Sequence, residues 1–451
     1  MKSKRELLLN GNITSLLFKF SAPAVIGMVT GALYNIVDTI FVGRGVGYLA
    51  IAALSIVLPL QLIIIGIGTM TGVGGASIVS RALGRNRKDI AQNVFGNGVV
   101  LNFLISAFCM VFIYIFIDKC LLFFGASPQV LPYARDYTSI ILAGFIFFSF
   151  SISGNNYIRA EGNPRAAMYA MAIGAIINII LDPIFIFVFG MGIKGAAVAT
   201  VISQVISSMY VILYILFGGS IFRLNISIFK VKFSAMKEIL SLGFPSFMRS
   251  AMASIITLIF NKLLLFYGSD MYIAIMGIGL RMISLIQMPL IGITQGFSTI
   301  VSFNYGAKLY TRVKKVLGMA VIWTIVIAGV GFLAMMIFPR FVISLFSSDA
   351  NLINEGINIL RIVIVFLPII GVQILGGGFF QAVGKAAPAL IITISRQVLF
   401  LIPAAFLLPL IFGLNGVWIS VPVSDFLSVV VTVVLISKEI KIFNKAILNT
   451  V

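Results

Sequence analysis

Apolar stretches of twenty or more residues recur along the whole chain, parted by short clusters of glycine, proline and charge. Each is about the length that crosses a hydrocarbon core of ~30 Å as a helix. None shows the ~10-residue alternating pattern of a membrane β-barrel strand. Twelve spans are predicted, at residues 14–42, 48–80, 90–117, 129–158, 165–190, 195–217, 238–267, 271–303, 315–338, 351–380, 387–411 and 415–437. The fold class is therefore all-α and polytopic, and its loops are too short to hold a soluble catalytic domain. Composition agrees, since 60% of the 451 residues are hydrophobic and only 10% charged, a balance foreign to soluble globular proteins.

The net charge of +19 changes meaning once it is placed on these spans. Alternate connections hold twenty-one lysines and arginines against five in the other set. The positive-inside rule puts the richer set, and both termini, in the cytoplasm of a multi-pass cell-membrane protein. The basic excess is thus a topology signal and calls for no nucleic-acid partner. The polar N-terminus MKSKRELLLNGNITS predicts no cleaved signal peptide. Histidine is absent, and the only cysteines are Cys109 and Cys120, which removes the commonest general base and metal ligands. An intramembrane enzyme would need a nucleophile–base pair or a metal cluster, and neither is visible.

The two halves repeat at a constant shift of 222 residues. Pro23 in "FSAPAVIG" meets Pro245 in "LGFPSFMR", Gly74 meets Gly296, Ser80 meets Ser302, Gly84 meets Gly306, and "YIRAEG" meets "FFQAVG". Such a register predicts a six-helix lobe at 1–220, a cytoplasmic linker at 221–236 and a second six-helix lobe at 237–451. Parallel repeats of this kind relate two bundles by an axis along the membrane normal, and transporters place their sites between them.

An ionisable group at mid-bilayer costs ~2.5–3.5 kcal/mol on insertion scales, so its presence asks for a function. "NIILDPIFIF" (178–187) sets Asp182 and then Pro183 among isoleucines and phenylalanines. Asn178 lies four residues earlier, on the same helical face. Asp38 sits at a similar depth on the first span, in line with Gly27, Gly31 and Tyr34. Thr200, Ser203, Gln204 and Ser207 form a polar set on the sixth span, a pattern that helix packing alone also produces. Pro183 and Pro23 lack an N–H, which frees the carbonyls of Ile179 and Lys19 and invites a bend. These oxygen groups suit a hard cation such as Na⁺, and two neighbouring acids equally suit a proton. The second lobe has no counterpart to the pair. It carries Arg249, Lys262, Arg281, Arg361 and Arg396 within its spans, with Asp425 as the deep acid. These cations pair structurally, or face a cavity and meet substrate.

The motifs "FSAPAVIGMVTGALYNIVDTIFVG", "GASIVSRALG", "NYIRAEGNPR" and "INIILDPIFIFVFGMGIKGAAVAT" carry a resemblance over essentially the full chain. It resembles the multidrug and toxic compound extrusion (MATE) transporters, most of all the prokaryotic DinF-type branch. The resemblance implies a V-shaped, twelve-helix antiporter that expels amphipathic, often cationic compounds in exchange for H⁺ or Na⁺, without other cofactors, as a monomer. It places the coupling network on Asp38, Asn178, Asp182 and Thr200, the bending first helix at Pro23 and Tyr34, and a cavity asparagine at Asn155. The acid of the NorM-type second lobe has no match here, and Arg281, Arg361 and Arg396 depart from the pattern. The competing reading is a flippase for a lipid-linked precursor, whose pyrophosphate would suit intramembrane arginines.

Overall fold

The computed structural model describes residues 2–223, 230–345 and 349–448. The first lobe comprises α1 (Lys2–Asn10), α2 (Ile13–Gly45), α3 (Tyr48–Gly84), α4 (Lys88–Ile115), α5 (Ile117–Phe123), α6 (Leu131–Ala160), α7 (Pro164–Pro183) and α8 (Gly192–Phe217). The second comprises α9 (Phe233–Tyr267), α10 (Asp270–Gly306), α11 (Tyr310–Ile337), α12 (Pro339–Ser344), α13 (Ala350–Val363), α14 (Leu367–Val383), α15 (Ala386–Ile394), α16 (Ile402–Phe412) and α17 (Leu414–Leu448). Local sequence explains many of the ends. Asn163 accepts the Ala166 N–H at 3.3 Å and is followed by Pro164, so α7 opens with a side-chain cap and a preset first turn. Gly384 closes α14 at φ 85°, a conformation that costs glycine no Cβ clash.

Among the described residues eleven helices are long and apolar enough to cross a membrane, and α13 with α14 supplies a twelfth, bent by 50°. The expectation of one continuous helix over 351–380 is corrected here. The turn before Pro368 tightens to three-residue hydrogen bonds, Leu367 N–H to Ile364 O at 2.8 Å and Ile369 N–H to Phe366 O at 3.1 Å. Pro183 does not break its helix. The chain widens instead into a π-turn over Ile184–Val188, with the Phe189 N–H reaching back five residues to Ile184 O at 2.9 Å. A second π-turn, Ser395–Leu401, leads into Pro403. α2 likewise runs unbroken through Pro23. The N-terminal stretch, read from sequence only as polar, forms the helix α1.

The predicted linker is shorter than 221–236. Phe222 stacks on Phe95 at 4.3 Å within the first lobe, and α9 already begins at Phe233. Asn97 holds the segment leading into α9 by accepting the Lys232 N–H at 2.7 Å. Residues 224–229 lie outside the described residues.

One buried apolar cluster joins both lobes near the chain termini. It holds Leu8, Phe20, Phe95 and Tyr157 from the first, and Phe297, Phe303 and Phe379 from the second. Farther along the helices the clusters separate. Val42, Leu60 and Ile186 pack within the first lobe, and Phe260, Leu264 and Trp418 within the second. The lobes therefore share a core at one end and divide toward the other, the V-shape that the resemblance implied. The seam keeps the repeat's symmetry. A Cβ on Gly84 would strike the carbonyl of Phe303, and one on Gly306 would strike that of Arg81, the residue equivalent to Phe303 at the 222 shift. Arg81 also pairs with Glu238 across the seam at 3.1 Å.

Candidate functional site

In the first lobe, α2 and α7 bring two carboxyls together where no base approaches. Asp182 is fully buried and Asp38 is 8% exposed. The two side chains lie within hydrogen-bonding reach of each other. Helical spacing puts Asn178 one turn below Asp182, where its amide donates to Asp182 Oδ1 at 3.0 Å and to Thr200 Oγ1 on α8 at 3.4 Å. The four residues singled out from sequence thus form one cluster across α2, α7 and α8.

Its charge is not compensated by the protein. Among the described residues, Asp38 Oδ1, Asp182 Oδ2 and Asn178 Oδ1 are buried acceptors without a donor. A buried acceptor left unpaired costs about 1–3 kcal/mol, more if it is charged. Two facing carboxyls with spare lone pairs, an amide oxygen and a hydroxyl form a hard-oxygen set that fits Na⁺. The same pair would be neutralised by one shared proton. Among the described residues no three His, Cys, Asp or Glu side chains gather, so neutral oxygens complete the set.

Tyr34 lies one turn before Asp38 and within electrostatic range of both acids. Two neighbours escaped the sequence reading. Tyr137 on α6, 2% exposed, lies near Thr200 and accepts from Gln61 Nε2 at 3.4 Å. Gln61 could have been found, since it is the lone amide in the apolar run "IVLPLQLIII". No pattern marked Tyr137.

Other candidates fall elsewhere. Asn155 is buried on α6 with its Oδ1 unpartnered and shares no hydrogen bond with the acid cluster. Pro23 sits by the interlobe seam, where neighbouring Val25 and Ser21 back Gly292 and Gly296 of α10. It is ~22 Å along the helix from Asp38. Ser207 bonds to Ala170 O and Ser151 Oγ, both at 2.8 Å, and Ser203 to its own helix, so these serines pack helices.

In the second lobe Arg396 Nε contacts Asp425 Oδ1 at 2.7 Å, so these two residues form an ion pair. Arg396 and Arg249 line a cavity of about 320 Å³ enclosed by the helices of this lobe. Arg281 and Arg361 are exposed and are not among its lining residues.

The family model MatE matches residues 23–184 and 245–407, two stretches offset by the same 222 residues as the internal repeat. The chain belongs to the MatE family. The Multidrug export protein MepA of Staphylococcus aureus is 28% identical over 416 residues, 90% of each chain. A MATE crystal structure in a straight conformation superposes with a TM-score of 0.92 at 27% identity, covering 97% of this chain and 98% of that one. One in a bent conformation gives 0.91 at 27% identity, covering 98% of each. A Pyrococcus furiosus transporter of the MOP superfamily, described by a binding pocket of reverse polarity, gives 0.92 at 27% identity and covers 97% of this chain and 98% of that one. In this MatE chain the first matched stretch ends two residues after Asp182, so the model embraces Asp38, Asn178 and Asp182 while Thr200 lies beyond it.

Proposed function

We propose that this MatE chain is a secondary active exporter that expels amphipathic compounds in exchange for H⁺ or Na⁺ by alternating access. The observation that carries this reading is the Asp38–Asp182 pair, held by Asn178 and Thr200 and left without a protein counter-charge. Such a pair changes its energy strongly on gaining a proton or a cation, and so can couple an ion gradient to a movement of its helices. Asp38 rides on α2, whose terminus-proximal part forms the interlobe seam, so ion binding at one end of α2 acts on a helix that helps close the other. Substrate leaves as the ion enters, and the lobes then rock back. The chain acts as a monomer in the cell membrane with both termini in the cytoplasm, as the distribution of lysine and arginine supports. The 28% identity to a multidrug export protein favours drug-like substrates over a lipid-linked precursor.

The test is ethidium efflux from proteoliposomes under an imposed pH gradient or an imposed Na⁺ gradient. Efflux under one gradient, lost in Asp182→Asn, would support coupling at this pair and name the ion. Full gradient-driven efflux by Asp182→Asn would overturn the assignment.

A further inference from the structure

The second-lobe cavity has a composition of its own. Its wall is mostly aliphatic and aromatic, with Ile256, Phe260, Met276 and Leu360 among the lining residues, and among the described residues no acid lines it. Arg249 lines it from α9 with an exposed side chain, and among the described residues its guanidinium has neither a hydrogen bond nor an ion pair. Arg396, the other cation on the wall, is already neutralised by Asp425 at 2.7 Å. The uncompensated charge of the cavity is therefore that of Arg249.

We propose that this cavity binds an amphipathic anion, with Arg249 paired to its acid group and the aliphatic wall covering its apolar body. The exposed, unpaired guanidinium of Arg249 is free to meet an acid group. Its planar fork matches a carboxylate or phosphate. A cationic compound would be repelled by the same charge. The cavity volume falls within the range of small-molecule sites. Carboxylate and phosphate amphiphiles reach a membrane protein either as bilayer lipids or as soluble compounds, and both present the same chemistry. The inference goes beyond the export reading, because binding needs no gradient and no coupling ion.

The full chain is placed in phosphatidylcholine nanodiscs and titrated with a dansyl-labelled medium-chain fatty acid, the matching alcohol and the matching amine. The acid is expected to bind about tenfold more tightly than the alcohol, the size of one charge-assisted contact, and the amine most weakly. Arg249→Gln should erase the preference for the acid while keeping alcohol binding, which also reports an intact cavity. Arg249→Lys should restore part of it. Equal binding of acid and alcohol by the wild type, which needs no variant, would overturn the proposal, as would an undiminished preference in Arg249→Gln. Phosphatidylglycerol nanodiscs that weaken acid binding only when Arg249 is present identify a bilayer lipid as the anion, and unchanged binding identifies a soluble amphiphile. Asp182→Asn should bind the acid like the wild type, so failure of coupling and failure of this site are separable.

Discussion

The two lobes share a backbone plan and oppose each other in charge. In the first, Asp38 and Asp182 face each other without a base. At the 222 shift their places in the second lobe belong to Phe260 and Ala404. Conversely, Arg249 and Arg396 occupy the places of Gly27 and Gly174. Gly27 and Gly174 have close neighbours on other helices, Met171 for the first and Ser207 for the second, so a long side chain would not fit there. The difference teaches that the repeat governs helix length and the seam, where Gly84 and Gly306 make reciprocal contacts. The interior chemistry is free of it, because each lobe encloses its own polar cluster and the pseudo-twofold axis passes through neither.

The sharpest way to break this comparison is to remove one acid. Asp38→Asn and Asp182→Asn should each reduce gradient-driven efflux to background. Neither should lower the thermal unfolding temperature in detergent, because each substitution relieves repulsion between two poorly partnered carboxyls. A clear loss of folded protein would instead mark the pair as structural, and the lobes would then differ in packing rather than in function. Next in size is the ion pair of the second lobe. Arg396→Gln leaves Asp425 buried without its partner and should cost about 3 kcal/mol of stability. Adding Asp425→Asn should recover much of that loss. If the double variant is no more stable than the single one, Arg396 is not held mainly by this pair, and the charge balance that isolates Arg249 fails.

The seam tests the shared half of the comparison. Gly84→Ala and Gly306→Ala each push a Cβ into a backbone carbonyl of the other lobe and should weaken the closed terminus-side contact by about 1–3 kcal/mol. Because the contacts are reciprocal, the two variants should shift interlobe spin-label distances in the same direction and by similar amounts. A shift in only one would show that the pseudo-symmetry of the seam does not extend to its energetics.

Span number, the repeat and the acid cluster could all be read from the chain because each depends on a one-dimensional signal. Apolar length marks a span, a constant offset marks the repeat, and a lone acid in an apolar run marks a site. The bend between α13 and α14 was hidden because Pro368 lies in a run as apolar as its neighbours. The short helices α5 and α12 were hidden in loops, although they start at Ile117 and Pro339, equivalent at the 222 shift. Glu161 shows a different limit. In the sequence it reads as a loop acid, yet it is 5% exposed and accepts from Tyr214 at 2.6 Å and from the Ile221 N–H at 2.9 Å, tying the end of the first lobe to its core. Its partners lie more than fifty residues away, beyond any local pattern.

The smallest effects sharpen the first-lobe site from within. Asn178→Ala removes the amide that donates to Asp182 and also reaches Thr200, and should slow efflux by about tenfold, the worth of one hydrogen bond to a charged group. Tyr137→Phe should cost less, about threefold, since among the described residues Tyr137 hydrogen-bonds to Gln61 and to neither carboxyl. The order decides between two accounts of the cluster. If Asn178 outweighs Tyr137, the carboxyls themselves carry the coupling and the surrounding polar groups orient them. If Tyr137→Phe is the more damaging, the hydroxyl chain from Gln61 through Tyr137 to Thr200 is a route for the ion rather than a support, and the site extends from α7 into α3 and α6. Initial efflux rates of the two variants, measured in one proteoliposome preparation under the same gradient, separate these outcomes.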